Sequence, residues 1–209
     1  VSTAPQDLLA YRRDMWARDL LAVAAGQPAG VPPAAIVWPS STEDLQAIIE
    51  LATSHNIRLT PFGAGSGVTG GATPSAGSLV VDCKRLRALR IDRELLTVRC
   101  GAGWNGWHIE QACNRHGLSI GHFPSSIMCS TVGGWVVTRG AGQLSTKYGK
   151  IEDMVSALEL VTGRGERLWL DSRQHGPDLA QLVVGSEGRM GFVSEVELQL
   201  VPLAQKRLL

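Results

Sequence analysis

The sequence predicts an α+β fold in two lobes, a small parallel α/β lobe followed by a larger, mainly antiparallel sheet flanked by helices. Three observations predict it. From Ala35 to Asp82 the chain runs strand, helix, strand, glycine-rich loop, strand, the order of a small parallel unit. Further on, the apolar run Met154 to Thr162 is turned by Gly163-Arg164-Gly165 into Glu166 to Leu170. Phe192 to Val201 then alternates: Phe192, Ser194, Val196, Leu198 and Leu200 oppose Val193, Glu195, Glu197, Gln199 and Val201, as in a half-buried antiparallel strand. Glycine occupies 24 of 209 positions and clusters at 63–77, 101–106, 133–149 and 185–191, so several backbone loops are expected to converge on one ligand. The expected division is an N-terminal helix and linker over 1–33, the small lobe over 34–90 and the larger lobe over 91–209.

Taken in order, Gln6 to Ala25 reads as a helix. Apolar Leu8, Leu9, Trp16, Leu20 and Leu21 alternate loosely with Arg12, Arg13, Asp14, Arg18 and Asp19, so a surface helix or arm is expected. Gly26 to Pro33 is a linker. Ala35 to Trp38 is a strand stopped by Pro39. Ser41 or Thr42 can cap the next helix, whose first turn is acidic and whose buried face is Leu45, Ile48, Ile49, Leu51 and Ala52. Asn56 ends it, and Ile57 to Thr60 and Ser78 to Asp82 are strands. Thr97 to Cys100 is a strand, Trp104 to His116 a helix closed by Gly117, and Leu118 to Ile120 extended. Pro177 to Val184 reads as a helix with proline at its first position.

The stretch that organises the chain is Pro61-Phe62-Gly63-Ala64-Gly65-Ser66-Gly67-Val68-Thr69-Gly70-Gly71. Glycine tolerates positive φ and close approach. A run of such residues can aim successive N–H groups into one concavity that binds an anion, and a pyrophosphate is the natural guest. No Gly-Lys-Ser/Thr follows, so it is not a P-loop. The frame Gly65-x-Gly67-x-x-Gly70 fits a dinucleotide fingerprint, but Gly71 to Gly77 is a loop rather than a helix. A dinucleotide loop of another kind, or an ordinary glycine-rich turn, remains.

The net charge of +1 gives no electrostatic case for nucleic acid or an anionic membrane surface. No integral membrane segment or signal peptide is visible, and a cytoplasmic address is expected. Cys83, Cys100, Cys113 and Cys129 are scattered, so reduced, mostly buried thiols are expected, with no metal site. His55, His108, His116, His122 and His175 form no ligand or triad pattern and read as surface or structural residues. There is no nucleophile elbow, and catalytic residues cannot be named. A large phosphate-bearing cofactor fits better than side-chain chemistry.

Further residues carry a resemblance. Trp38-Pro39-Ser40-Ser41-Thr42-Glu43, the loop Pro61 to Gly71, Pro124-Ser125-Ser126, Ser130-Thr131-Val132-Gly133-Gly134-Trp135, Thr138-Arg139, Tyr148-Gly149, Ile151-Glu152-Asp153 and Gly185-Ser186-Glu187-Gly188 occur in order. Together they resemble the FAD-binding (PCMH-type) domain of the vanillyl-alcohol oxidase/p-cresol methylhydroxylase superfamily, over about residues 34–203. The loop looks like the glycolate oxidase and D-lactate dehydrogenase branch. The block Ser130 to Asp153 and the approach to Gly185 look like alkylglycerone-phosphate synthase.

The resemblance implies FAD, bound without a covalent link, because no histidine occurs from residue 56 to 107. It implies that Phe62, Gly63, Ala64, Gly65, Ser66, Gly67 and Val68 cradle the pyrophosphate. Pro124 to Ser130, with Pro124, Ser125 and Ser130 among the contacts, would line the flavin and adenosine side. Thr138, Arg139, Gly140 and Ala141 would approach the ring system or diphosphate, and Glu187 to Val193, through Glu187, Gly188, Gly191 and Val193, the adenine and ribose end. Pro61, Gly71, Thr131, Gly133, Gly134 and Tyr148 would also belong to the cofactor site. It further implies a substrate (cap) domain beyond Leu209 that supplies most catalytic residues, a small-molecule substrate, and a homodimer as one assembly. The expected reaction is oxidation of a 2-hydroxy acid by hydride transfer to FAD. An alkylglycerone-phosphate synthase-like flavoenzyme is the alternative, and a non-catalytic nucleotide-binding or interaction module a third reading.

Overall fold

The computed structural model describes residues 1–204; the expected end of the larger lobe, 205–209, lies outside the described residues. The chain opens with α1 (Pro5–Ala10) and α2 (Ala17–Ala24), not one helix over Gln6 to Ala25. One local and one tertiary bond break it. The Asp14 side chain accepts from the Trp16 N–H at 2.9 Å, and the Met15 N–H donates to the Gly67 carbonyl at 2.9 Å. These bonds divert backbone donors from a continuous helix. Nor is the segment a free arm, since Asp14 is 1% exposed and Leu8 and Tyr11 pack on the small sheet.

That sheet contains β1 (Ala35–Val37), β2 (Leu59–Phe62) and β3 (Leu79–Asp82), ordered β1-β3-β2 and parallel throughout, with α3 (Thr42–Ser54) crossing between β1 and β2. Ser41 caps α3 by accepting from the Asp44 N–H at 3.1 Å. Alternate strand residues face opposite layers. Val37 and Val81 meet Leu45 and Ile49 of α3, while Ile36 and Val80 meet Leu8 and Tyr11. Burial on both faces explains the unbroken apolar run of β3. Leu51, expected inside, is 58% exposed on the outer face of α3. Ile57 is not in β2, because its N–H donates back to the Ala52 carbonyl and closes the helix end.

The larger sheet is antiparallel. It contains β4 (Leu89–Asp92), β5 (Thr97–Gly101), β7 (Val155–Val161), β8 (Arg167–Asp171) and β9 (Phe192–Gln199), ordered β4-β5-β9-β7-β8. A two-stranded pair joins β6 (Leu118–Ser119) to β10 (Val201–Pro202). Helices α4 (Gly106–Asn114), α5 (Val132–Val137), α6 (Ser145–Tyr148), α7 (Ile151–Met154) and α8 (Ala180–Val183) complete the unit. Edge strand β4 was not anticipated; its Leu89 and Arg90 are exposed. α4 starts two residues late, where Asn105 caps it from the Trp107 and His108 N–H groups. α8 is shorter than Pro177 to Val184, because the Asp178 carboxylate accepts from the Ala180 N–H and starts it there. The simple alternation of β9 fails at its start. A register shift against β7 at Glu159/Leu160 leaves Phe192, Val193 and Ser194 all buried.

The two sheets meet through apolar and polar contacts. Val161 and Phe192, at the ends of β7 and β9, join the cluster of Val37, Leu45, Ile49 and Val81. Beside it, the Glu159 carboxylate accepts from Thr42 Oγ1 at 2.8 Å, Ser194 Oγ at 2.7 Å and Arg167 Nη2 at 2.8 Å. Burial pushes this carboxyl up, but the bonds from Ser194, Arg167 and Thr42 outweigh it and hold the group below its ordinary value. Its stabilisation is therefore complete above the unfolded pKa of about 4.3 and is lost as pH falls through the lower folded value. Glu159→Gln is expected to cost about 1–3 kcal/mol at neutral pH. It should also reduce the loss of stability on acidification below pH 4, read by urea unfolding across pH; an unchanged acid limb would show that Glu159 carries no charge-linked stability.

Candidate functional site

A cavity of about 560 Å³ opens between the lobes, within the range of roughly 300–1,000 Å³ typical of small-molecule and cofactor sites. Its walls are the loop from Pro61 to Ala72, the segment Pro124 to Thr131, the stretch from Gly133 to Ala141 and the turn from Glu187 to Val193. Three stretches distant in sequence, 61–72, 124–141 and 187–193, thus converge, and the glycine clusters at 63–77, 133–149 and 185–191 each contribute to the wall, while the cluster at 101–106 contributes Ala102. Of the residues implied by the resemblance, all line the cavity except Arg139 and Tyr148.

Those two stand outside the wall. Arg139 sits at φ 54, and its guanidinium turns away to the Val184 carbonyl at 3.0 Å and Glu152 at 3.5 Å. The Tyr148 ring packs under Gly121, where a Cβ would lie 3.0 Å away, and against the core of the larger lobe. Conversely, Asp14, Cys83, Ala102, Trp135 and Val137 line the cavity without having been singled out for it. Trp135 lay inside a quoted motif; the others carry no local signal.

The loop is built to present backbone. Gly65 takes φ +67, and a Cβ there would lie 2.6 Å from the Phe62 ring. At Gly63 a Cβ would come within 2.5 Å of Thr131 Oγ1, so only glycine lets the loop close on α5. None of the N–H groups from Gly63 to Ala72 donates to another described residue. Unmade backbone hydrogen bonds are costly away from water, so such a run is suited to an external acceptor. The hydroxyls of Ser66, Thr69 and Ser125 likewise have no partner among the described residues. Those of Ser130 and Thr138 are engaged with the Ser126 and Gly134 carbonyls.

No lysine or arginine is among the described residues that line the cavity; its charged members are Asp14 and Glu187. An anion held here depends on peptide dipoles rather than on a salt bridge. The donor set fits a diphosphate-bearing cofactor, and the apolar Phe62, Val68, Trp135, Val137 and Val193 fit its ring systems.

Behind Gly140 lies His122, 0% exposed and edge-on to Trp135 at 4.7 Å. Neither ring nitrogen has a partner among the described residues. Burial lowers its pKa from the ordinary 6.5 to about 4, so the imidazole is neutral at physiological pH. The structural reading of this histidine holds. Because the folded-state pKa is depressed, folded-state stability is complete above pH 6.5. It falls as pH drops towards 4, with a limiting slope of about 1.4 kcal/mol per pH unit. His122→Phe should flatten that limb. NMR should show an imidazole that stays neutral at pH 5.5, whereas titration near 6.5 would contradict the burial argument.

The comparisons agree with the geometry. Residues 33–171 match the family described as FAD binding domain. An alkyldihydroxyacetonephosphate synthase from Caenorhabditis elegans is 40% identical over 181 residues, covering 83% of this chain and 30% of the relative. A D-lactate dehydrogenase from Archaeoglobus fulgidus is 31% identical over 171 residues, covering 80% of this chain and 38% of the relative. A solved alkyldihydroxyacetonephosphate synthase superposes with a TM-score of 0.89 at 30% identity, over 98% of this chain and 38% of that one. The chain therefore spans about a third of the length of the relatives it matches. Among the described residues no helix is long and apolar enough to cross a membrane. With its two-lobed fold, its convergent glycine loops and these relatives, the chain belongs to the FAD-binding domains of the PCMH-type superfamily, a family of flavin-dependent enzymes whose cofactor is FAD.

Proposed function

We propose that this domain holds FAD non-covalently, with the pyrophosphate on the N–H groups of Gly63 to Val68. The observation that carries this is the run of N–H groups without internal partners, in a cavity whose described lining has no basic side chain. In the same reading, Pro124 to Ser130 face the flavin and adenosine side, and Thr138, Gly140 and Ala141 approach the ring system or diphosphate. Glu187 to Val193 face the adenine and ribose end. Arg139 and Tyr148 act only through the backbone and packing they support. Two facts favour the absence of a covalent link. No histidine occurs between His55 and His108, and burial pushes the Cys83 thiol up to about 12, leaving it protonated and a poor nucleophile. The division between lobes falls, in this account, in the turn between β3 and β4, where the parallel sheet ends and the antiparallel one begins.

For the chemistry, the favoured reading is a flavoenzyme of the alkyldihydroxyacetonephosphate synthase kind, supported by the higher identity of that relative and by the superposition. Oxidation of a 2-hydroxy acid is the second reading, supported by the loop Gly63 to Gly71 and the D-lactate dehydrogenase relative. Bound FAD supplies an electrophile in the first case and a hydride acceptor in the second. In both, this chain's share is to fix the diphosphate, exclude water from the ring with apolar walls, and leave the substrate-facing groups to a cap domain.

The purified protein should show flavin absorption bands, and acid precipitation should release that flavin into the supernatant; flavin that stays with the pellet would refute the non-covalent reading. With the longer protein, exchange of the acyl group of acyl-dihydroxyacetone phosphate for a fatty alcohol, without net bleaching of the flavin, supports the synthase reading. Anaerobic bleaching by D-lactate or another 2-hydroxy acid would favour the second.

A further inference from the structure

Behind the glycine-rich loop lies a second, open depression lined by Tyr11, Trp38, Asp82, Lys84, Arg85 and Arg87. At its floor Asp82 is 0% exposed, yet fully engaged. Its carboxylate accepts from the Tyr11 hydroxyl, from Trp38 Nε1 at 3.0 Å, from the Lys84 N–H at 2.9 Å and from Lys84 Nζ at 2.7 Å. The same Lys84 Nζ donates to the Gly63 carbonyl oxygen at 2.9 Å, and it stands 5.2 Å from the ring centroids of both Tyr11 and Phe62. A lysine held by a buried carboxylate, a carbonyl and two aromatic rings is not a freely solvated surface cation.

The consequence follows from peptide geometry. In a planar trans peptide, the carbonyl of one residue and the N–H of the next point in opposite directions. No peptide bond among the described residues is cis. The bond from Lys84 to the Gly63 oxygen therefore turns the Ala64 N–H away from Lys84. Ala64 lines the cavity, and its N–H has no partner among the described residues. Gly63, on the N-terminal side of this peptide, has no Cβ and offers little steric resistance to its rotation, so the bond from Lys84 is what fixes it. A flipped peptide would replace a donor with a carbonyl oxygen facing the phosphate.

We propose that Lys84 is a positioning residue for the cofactor. Anchored by Asp82, it holds the Gly63–Ala64 peptide in the orientation that aims the Ala64 N–H at the pyrophosphate, and it does so without touching the ligand. Tyr11 and Trp38 also donate to Asp82 and help satisfy its buried carboxylate, whereas the bond to the loop carbonyl is made by Lys84. This rests on the FAD reading given above.

The rival role is plain charge neutralisation of Asp82, and a set of variants separates the two. FAD dissociation constants are measured by flavin fluorescence and apoprotein melting temperatures by calorimetry. Lys84→Met leaves Asp82 without its ammonium and should lower both stability and affinity. The double variant Asp82→Asn/Lys84→Met removes the uncompensated charge; its melting temperature should recover, while FAD stays about tenfold weaker, roughly 1.4 kcal/mol. Tyr11→Phe removes a donor to Asp82 but leaves the bond to Gly63; it should lower the melting temperature and keep FAD affinity within about twofold. Recovery of FAD affinity in the double variant, or an equal loss of affinity in Tyr11→Phe, would overturn the proposal. The Tyr11→Phe comparison decides it even if the double variant does not fold. Failure of the unaltered protein to bind added FAD would instead sink the FAD reading and this proposal with it.

Discussion

Between Gly63 and Ala72 the backbone keeps its N–H groups out of internal hydrogen bonds, and the surrounding structure is arranged to hold it that way. A loop of this composition gains little from its own contacts and would lose much conformational entropy on ordering. Its order is supplied from outside. β2 leads into it, paired in parallel with β3. The Gly67 carbonyl is taken by Met15, the Gly63 carbonyl by Lys84, and Thr131 closes against Gly63. The carbonyls are tied down on one side, and the donors are left for a ligand on the other.

The two sheets divide the work. The parallel sheet is buried on both faces and launches the loop from the end of β2. The antiparallel sheet carries α5 and the turn before β9, which form the opposing walls. The cavity survives only if the lobes keep their relative position. The cluster around Val161 and Phe192 and the polar contacts of Glu159 fix that position from both sides of the boundary. Neither contact includes a residue of the glycine-rich loop from Gly63 to Ala72, so the loop can be altered without dismantling the joint.

Much of the site was legible in the sequence because backbone sites need small residues, and small residues at fixed points are visible as glycine clusters. What was not legible came from long-range contacts. Asp14 lines the cavity because the bond from Met15 to the Gly67 carbonyl, with the local turn that Asp14 makes to Trp16, breaks a helix that apolar spacing alone would continue. Lys84 matters because a loop carbonyl twenty-one positions earlier lies within reach of its ammonium. Arg139 and Tyr148 read as ligand contacts from their place in shared motifs, yet one turns to Val184 and the other packs under Gly121. Strand β4 escaped because an exposed edge strand need not alternate cleanly, and Leu51 misled because helical spacing marks a face without saying how wide it is.

If loop N–H groups, rather than side-chain charge, hold the cofactor's phosphates as we propose, the backbone amide resonances of residues 63–72 will report it during titration with FAD, ADP and riboflavin. FAD and ADP are expected to shift the amides of Ala64 to Val68 alike, while riboflavin, which lacks phosphate, leaves them in place. Equal shifts with riboflavin, or loop amides that do not respond to saturating FAD, would contradict it.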